Sequence, residues 1–215
     1  EISLGLVGSE MCIRDSLMTQ FNKPPNTIYV IRKGDMVIRP TFDNHQQPNG
    51  SEILKFDTSR EISPFKTQKI IERSCRFYGN NYLSKKAETQ RIAGITSKPP
   101  ILLTPLFPTY FFPTHSDRLE ENIWINMHYI SDIKPLKNRK SKIIFANQEA
   151  LTLNVSFHSL WHQYSNSIFY YYMIDKQARM KSNNPDMPID YEKTSLNIFE
   201  ALSHYSFCLL YTSPS

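Results

Sequence analysis

Apolar positions along this chain fall mostly in short alternating or clustered runs, with three stretches that keep the three-to-four spacing of an amphipathic helix. Between 27 and 56, Ile28-Tyr29-Val30-Ile31 and Met36-Val37-Ile38-Arg39 flank a Lys33-Gly34-Asp35 turn, and Pro40 stops the second run. That pattern predicts a hairpin, joined by a polar loop over 43–51 to a third run ending at Phe56. Further on, Ile101-Leu102-Leu103 and Tyr110-Phe111-Phe112 are fenced by prolines at 100, 105, 108 and 113, as edge or short barrel strands are. Residues 122–133 alternate, with Ile123, Ile125, Met127 and Tyr129 on one side and Trp124, Asn126 and His128 on the other. Segments 142–146 and 151–155, joined by 147–150, complete a second hairpin.

The first helical stretch is 67–78, capped by Thr67, with Ile71, Cys75 and Tyr78 on one face and Lys69, Arg73 and Arg76 on the other. Gly79-Asn80-Asn81 ends it. Residues 83–91 read either as a second helix, which would make a helix-turn-helix, or as a basic loop leading into a strand. The breaks at Gly94 and Pro99-Pro100 favour the loop. Ser156 caps the second helical stretch, which carries Phe157, Leu160, Trp161, Tyr164, Ile168, Tyr171 and Tyr172. Such an aromatic stripe is core before it is a cofactor box, and its surplus leaves Trp161, Tyr164, Tyr171 and Tyr172 as candidate dimer contacts. After a linker over 183–188, a third stretch near 191–205 runs acidic and reads as a protein-interaction or autoregulatory tail. The expected fold is α+β: a β-rich domain of short strands and hairpins, with a basic helix inserted and one or two C-terminal helices.

Charge sharpens this picture once the two ends are judged. Residues 208–215 can be encoded by a transposase-type sequencing adapter read in one frame, and its opposite strand in another frame yields Gly8-Ser9-Glu10-Met11-Cys12-Ile13-Arg14-Asp15. Residues 1–17 and 208–215 are therefore read as translated adapter, leaving a domain over 18–181 and a linker with acidic helix over 182–207. Met18 is the expected native start, and no secretion signal follows it. The formal charge of the whole chain is +5, but the set-aside ends hold Glu1, Glu10 and Asp15 against Arg14, so the remainder carries 24 basic and 17 acidic residues. Of the three cysteines only Cys75 remains, which forbids an intrachain disulfide and fits a reducing, cytoplasmic setting. No apolar run approaches the roughly 20 residues of a membrane span.

The cations concentrate in two places. Residues 66–98 hold eight Lys/Arg against Glu72 and Glu88, interleaved with Cys75, Phe77, Tyr78 and Tyr82, and residues 134–142 hold five with no acidic residue. Basic residues on the open face of a helix neutralise phosphates and release condensed counterions, so a nucleic-acid surface is the natural reading. Chemistry of other kinds finds little footing. His158 and His162 stand four apart but lack the glutamate of a zinc-protease motif. Cys75 has no CxxC partner, and no glycine stands in GxGxxG or P-loop spacing. The adjacent Thr114-His115-Ser116-Asp117 reads as a loop, since triads are made in space. Neither a metal nor another cofactor is expected, and His45 reads as surface decoration.

The run Ile70-Ile71-Glu72-Arg73-Ser74-Cys75-Arg76-Phe77-Tyr78-Gly79, then Lys85-Lys86-Ala87, Ser97-Lys98-Pro99-Pro100-Ile101 and Phe111-Phe112-Pro113-Thr114, resembles the ComK competence transcription factor family. The likeness is dense over 67–114 and returns over 124–130. It implies a non-enzymatic activator of DNA-uptake genes that binds AT-rich promoter boxes in double-stranded DNA, largely through the minor groove, as dimers that pair into tetramers, at the nucleoid. It also implies an adaptor-protease system that takes hold of the C-terminal tail. The DNA-contacting candidates are Lys69, Arg73, Arg76, Lys85, Lys86, Arg91, Lys98, Lys134, Lys137, Arg139, Lys140 and Lys142. Among them Arg73, Arg76, Arg91 and Arg139 are expected in the groove, and Lys85, Lys86, Lys137 and Lys140 on phosphates. Two rival readings are a protein-interaction module with a basic face, and a nucleic-acid-processing enzyme using His115, Asp117 and His128.

Overall fold

A computed structural model describes residues 28–107 and 109–182. Its centre is a six-stranded antiparallel sheet in the order β3-β2-β1-β6-β5-β4, made of β1 (Asp35–Phe42), β2 (Pro48–Lys55), β3 (Arg60–Ser63), β4 (Ile101–Leu102), β5 (Tyr110–Pro113) and β6 (Trp124–Asn126). A second antiparallel sheet holds β7 (Ile130–Pro135), β8 (Ser141–Phe145) and β9 (Ala150–Leu153). The helices are α1 (Thr67–Phe77), α2 (Tyr82–Ala93) and α3 (Phe157–Ser182). This is the expected α+β class.

The period-2 alternation of the central strands divides their side chains between two cores. Ile38, Ile53, Phe111 and Trp124 point to one face, where Ile70, Ile71 and Cys75 of α1 cover them. Val37, Leu54, Phe112 and Ile125 point to the other, where they meet the three-stranded sheet and Leu160, Tyr164 and Ile168 of α3. A sheet covered on both faces needs apolar residues at consecutive positions, which is why its strands read as runs. Helix α2 packs along the β4 edge and contributes to both cores, with Tyr82 in one and Ile92 in the other.

Four expectations need correction. Residues 28–31 form no strand; the hairpin is β1 with β2 around the loop 43–47, and Pro40 sits inside β1, opposite Ser51 of β2 and beyond the last β6 partner. Thr67 is the first residue of α1, not its cap, because its hydroxyl donates to the Asn122 carbonyl at 3.2 Å. The segment 122–133 is broken by a 3-10 turn, Met127–Tyr129, which carries the chain from the central sheet into the second one. Residues 83–91 are helical, as the body of α2. The linker and tail lie outside the described residues, as do both ends read as adapter.

Candidate nucleic-acid interface

Helix α1 is built to hold one face rigid and present the other. Ser74 is fully buried: its hydroxyl donates to the Ile70 carbonyl at 2.7 Å and accepts from the Ile31 N–H at 3.0 Å. Tyr78 donates from its hydroxyl to the Ile31 carbonyl at 2.7 Å, so the segment before β1 clamps the helix at two points. On the open side Lys69, Arg73 and Arg76, at successive steps of four and three, form one exposed stripe with no ion-pair partner among the described residues. Burial pushes the Cys75 thiol up to about 11, which leaves it protonated and unreactive.

A four-residue turn joins α1 to α2. Gly79, at φ +82°, reverses the chain where an L side chain would be strained, and the Asn81 side chain accepts from the Ser84 N–H at 2.7 Å to cap α2. The candidates on α2 separate sharply. Lys85 is buried and lies 3.3 Å from Glu88, so it faces inward instead of toward a phosphate. Lys86 is paired with Asp117 at 2.7 Å, and Tyr82 donates to the same carboxylate oxygen at 2.8 Å. Arg91 is exposed at the far end of the helix. Lys98 follows at φ +46° and donates to the Thr114 carbonyl at 3.2 Å.

Between α1, α2 and the loops 96–99 and 113–118 lies an open cleft of about 870 Å³. Arg76, Lys86, Lys98 and Arg118 line it, with Glu72 and Asp117. Arg118 is absent from the sequence-derived set: an isolated arginine in a polar loop carries no local signal of the cleft it borders.

The second cationic cluster is the tip of the β7–β8 hairpin. Asn138 and Arg139 occupy left-handed backbone, φ +59° and +55°, in a tight turn that leaves Lys137, Arg139 and Lys140 exposed. Lys134 lies 3.4 Å from Asp132, and Lys142 is half-buried on β8. The hairpin belongs to the sheet that packs against the face opposite α1, so the structure separates the two clusters by the thickness of the central sheet.

The aromatic stripe of α3 is largely core. Tyr164 packs edge-on to Phe112 and is buried, which removes it from the candidate dimer contacts. Trp161 stacks on Phe157, and Tyr171 meets Tyr110 and His128; with Tyr172 they are only partly buried. The rival enzymatic set does not converge. His128 packs between Tyr110 and Tyr171 against the α3 core, whereas Asp117 is tied to Tyr82 and Lys86 in the cleft. His115 shares its Nδ1 with the Thr114 hydroxyl at 3.0 Å. Among the described residues no group of three His, Cys, Asp or Glu is placed to hold a metal ion, and no helix is long and apolar enough to cross a membrane.

Comparison with known proteins adds two findings. The family model described as ComK protein matches residues 26–179. The competence transcription factor of Bacillus subtilis (strain 168) is 32% identical over 113 residues, which cover 53% of this chain and 58% of that protein. The chain thus spans a little over half the length of the curated relative it matches. No solved structure matches.

Proposed function

The chain belongs to the ComK family, and from that premise we propose that it is a competence transcription factor that binds double-stranded, AT-rich promoter DNA. The observation that supports this best is the α1 stripe: Lys69, Arg73 and Arg76 stand exposed and unpaired among the described residues, on a helix whose other face is locked into the core. A stripe of this kind costs little to desolvate only partly and delivers cations at fixed spacing, which is what a phosphate backbone rewards. Arginines are the side chains drawn into the narrow, strongly negative groove of A-tracts, and two of the three are arginine. The related factor is named for competence, and the same role is proposed here, with dimers or tetramers forming on the promoter.

Fluorescence anisotropy of the chain on AT-rich and GC-rich duplexes, titrated with salt, tests the reading. Tighter binding to the AT-rich duplex that weakens steeply with salt is expected, the slope reporting about 0.9 per phosphate contacted. Absence of binding to either duplex at low salt would overturn it, and would point to an acidic protein as the partner of the basic face.

A further inference from the structure

Resting on that DNA-binding reading, we propose that the cleft beside α1 is a second seat for the sugar-phosphate backbone, held by Arg76, Lys98 and Arg118. Three observations carry this. First, Arg76 belongs both to the outer stripe of α1 and to the cleft wall, so the two surfaces are continuous and one nucleic-acid strand can pass from the first to the second. Continuity with the stripe assigned to DNA commits the cleft to the same duplex.

Second, the acidic residues of the cleft are already occupied. Asp117 takes hydrogen bonds from both Lys86 and Tyr82, and Glu72 takes one from Gln68 at 3.1 Å. The carboxylate of Asp117 cancels Lys86 internally, which leaves Arg76, Lys98 and Arg118 as the charges that face the cleft against Glu72 alone. Arg118 is exposed and forms no ion pair among the described residues.

Third, Lys98 sits in backbone that its sequence disfavours twice. Its φ of +46° is left-handed, where side chains with a Cβ are crowded, and it precedes Pro99, which pushes the preceding residue toward extended conformations. Backbone held against such preferences collects where a side chain must be aimed. Here the hydrogen bond from Lys98 to the Thr114 carbonyl fixes the ammonium between the two loops that wall the cleft.

The test uses the full chain on an AT-rich duplex, with three variants. Lys98→Asn keeps a residue that tolerates left-handed backbone and removes the charge, Arg118→Ala removes an exposed, unpaired cation, and Arg73→Ala reports on the α1 stripe alone. Each is expected to weaken binding and to lower the salt slope by about 0.9, so that the ratio of dissociation constants between 200 and 50 mM salt falls about three- to fourfold. Lys98→Asn should melt close to the parent temperature, the relief of left-handed strain offsetting the lost hydrogen bond to the Thr114 carbonyl. Parent-like affinity and slope in Lys98→Asn and Arg118→Ala, beside a weakened Arg73→Ala, would overturn the cleft assignment while leaving the DNA-binding reading intact. A parent chain that binds no duplex would overturn both.

Discussion

Two buried groups oppose each other over nearly the same pH range, and separating them is the sharpest test of the packing described above. Asp35, only 1% exposed, accepts from the Tyr29 hydroxyl at 2.9 Å and from the Arg32 N–H at 2.8 Å. Burial nonetheless dominates and pushes its carboxyl up from 3.8 to about 6. His128, enclosed between Tyr110 and Tyr171, is pushed down by burial from 6.5 to about 4. A raised acid is protonated in the fold while still ionised in the unfolded chain, so the Asp35 contribution is fully present below pH 3.8 and is lost as pH rises through about 6. A depressed histidine does the reverse: its contribution is full above pH 6.5 and is lost as pH falls through about 4. At about 1.4 kcal/mol per pH unit, each change amounts to roughly 3 kcal/mol, and in the parent they offset.

Asp35→Asn removes one arm while keeping an oxygen to accept from Tyr29 and Arg32. Urea unfolding followed by tryptophan fluorescence, repeated from about pH 4 to 7, should show the variant gaining stability over the parent by about 3 kcal/mol as pH rises. His128→Phe keeps a ring between Tyr110 and Tyr171 and should show the opposite trend, gaining on the parent as pH falls. Taking differences between variant and parent cancels every other titrating group. A difference that stays flat with pH for either variant would refute the burial argument for that residue.

Four other outcomes follow from the same geometry. Arg73→Ala with Arg76→Ala should remove two cations that displace counterions from the duplex, so the ratio of dissociation constants between 200 and 50 mM salt falls by about twelvefold in a duplex-binding titration. Gly50→Ala would place a Cβ 2.4 Å from the Ser63 carbonyl oxygen, forcing β2 and β3 apart, and calorimetry should show a loss of about 1–3 kcal/mol. Thr89→Val removes the hydroxyl that donates to the Pro100 carbonyl at 2.6 Å; chemical denaturation should register about 1–3 kcal/mol for the buried acceptor left unpaired. Phe112→Ala, at a site with no exposure beside Tyr164, should cost about 3–5 kcal/mol by the same measurement.

Where local pattern and tertiary demand agreed, the chain could be read directly. Helix α1 was visible because Ile71 and Cys75 are apolar and its outer positions are charged, and the Ser156 side chain does accept from the Ser159 N–H at 3.3 Å at the head of α3. The β8–β9 hairpin showed itself as two short strand-like runs around a polar turn, and every second side chain of each strand is buried. Helix α2 was hidden for a specific reason. Its buried stripe is Tyr82, Lys85, Thr89 and Ile92, which has helical spacing but two polar members, and these are satisfied by Glu88, by the Lys85 carbonyl and by the Pro100 carbonyl. A scan for apolar period cannot count a lysine and a threonine as core.

The sequence by itself determined the charge, the helical stripe that carries Lys69, Arg73 and Arg76, and the resemblance that named the family. Those properties reside in residue types and short spacings, and survive in an unfolded chain. Only the tertiary structure decided which cations face solvent. It buried Lys85, tied Lys86 to Asp117, brought Arg118 and Arg76 to the wall of one cleft, and set the hairpin cluster on the far face of the central sheet. A charge is available to a partner only if no nearer group has neutralised it. The groups that do so here come from distant parts of the chain and meet only when the sheet closes.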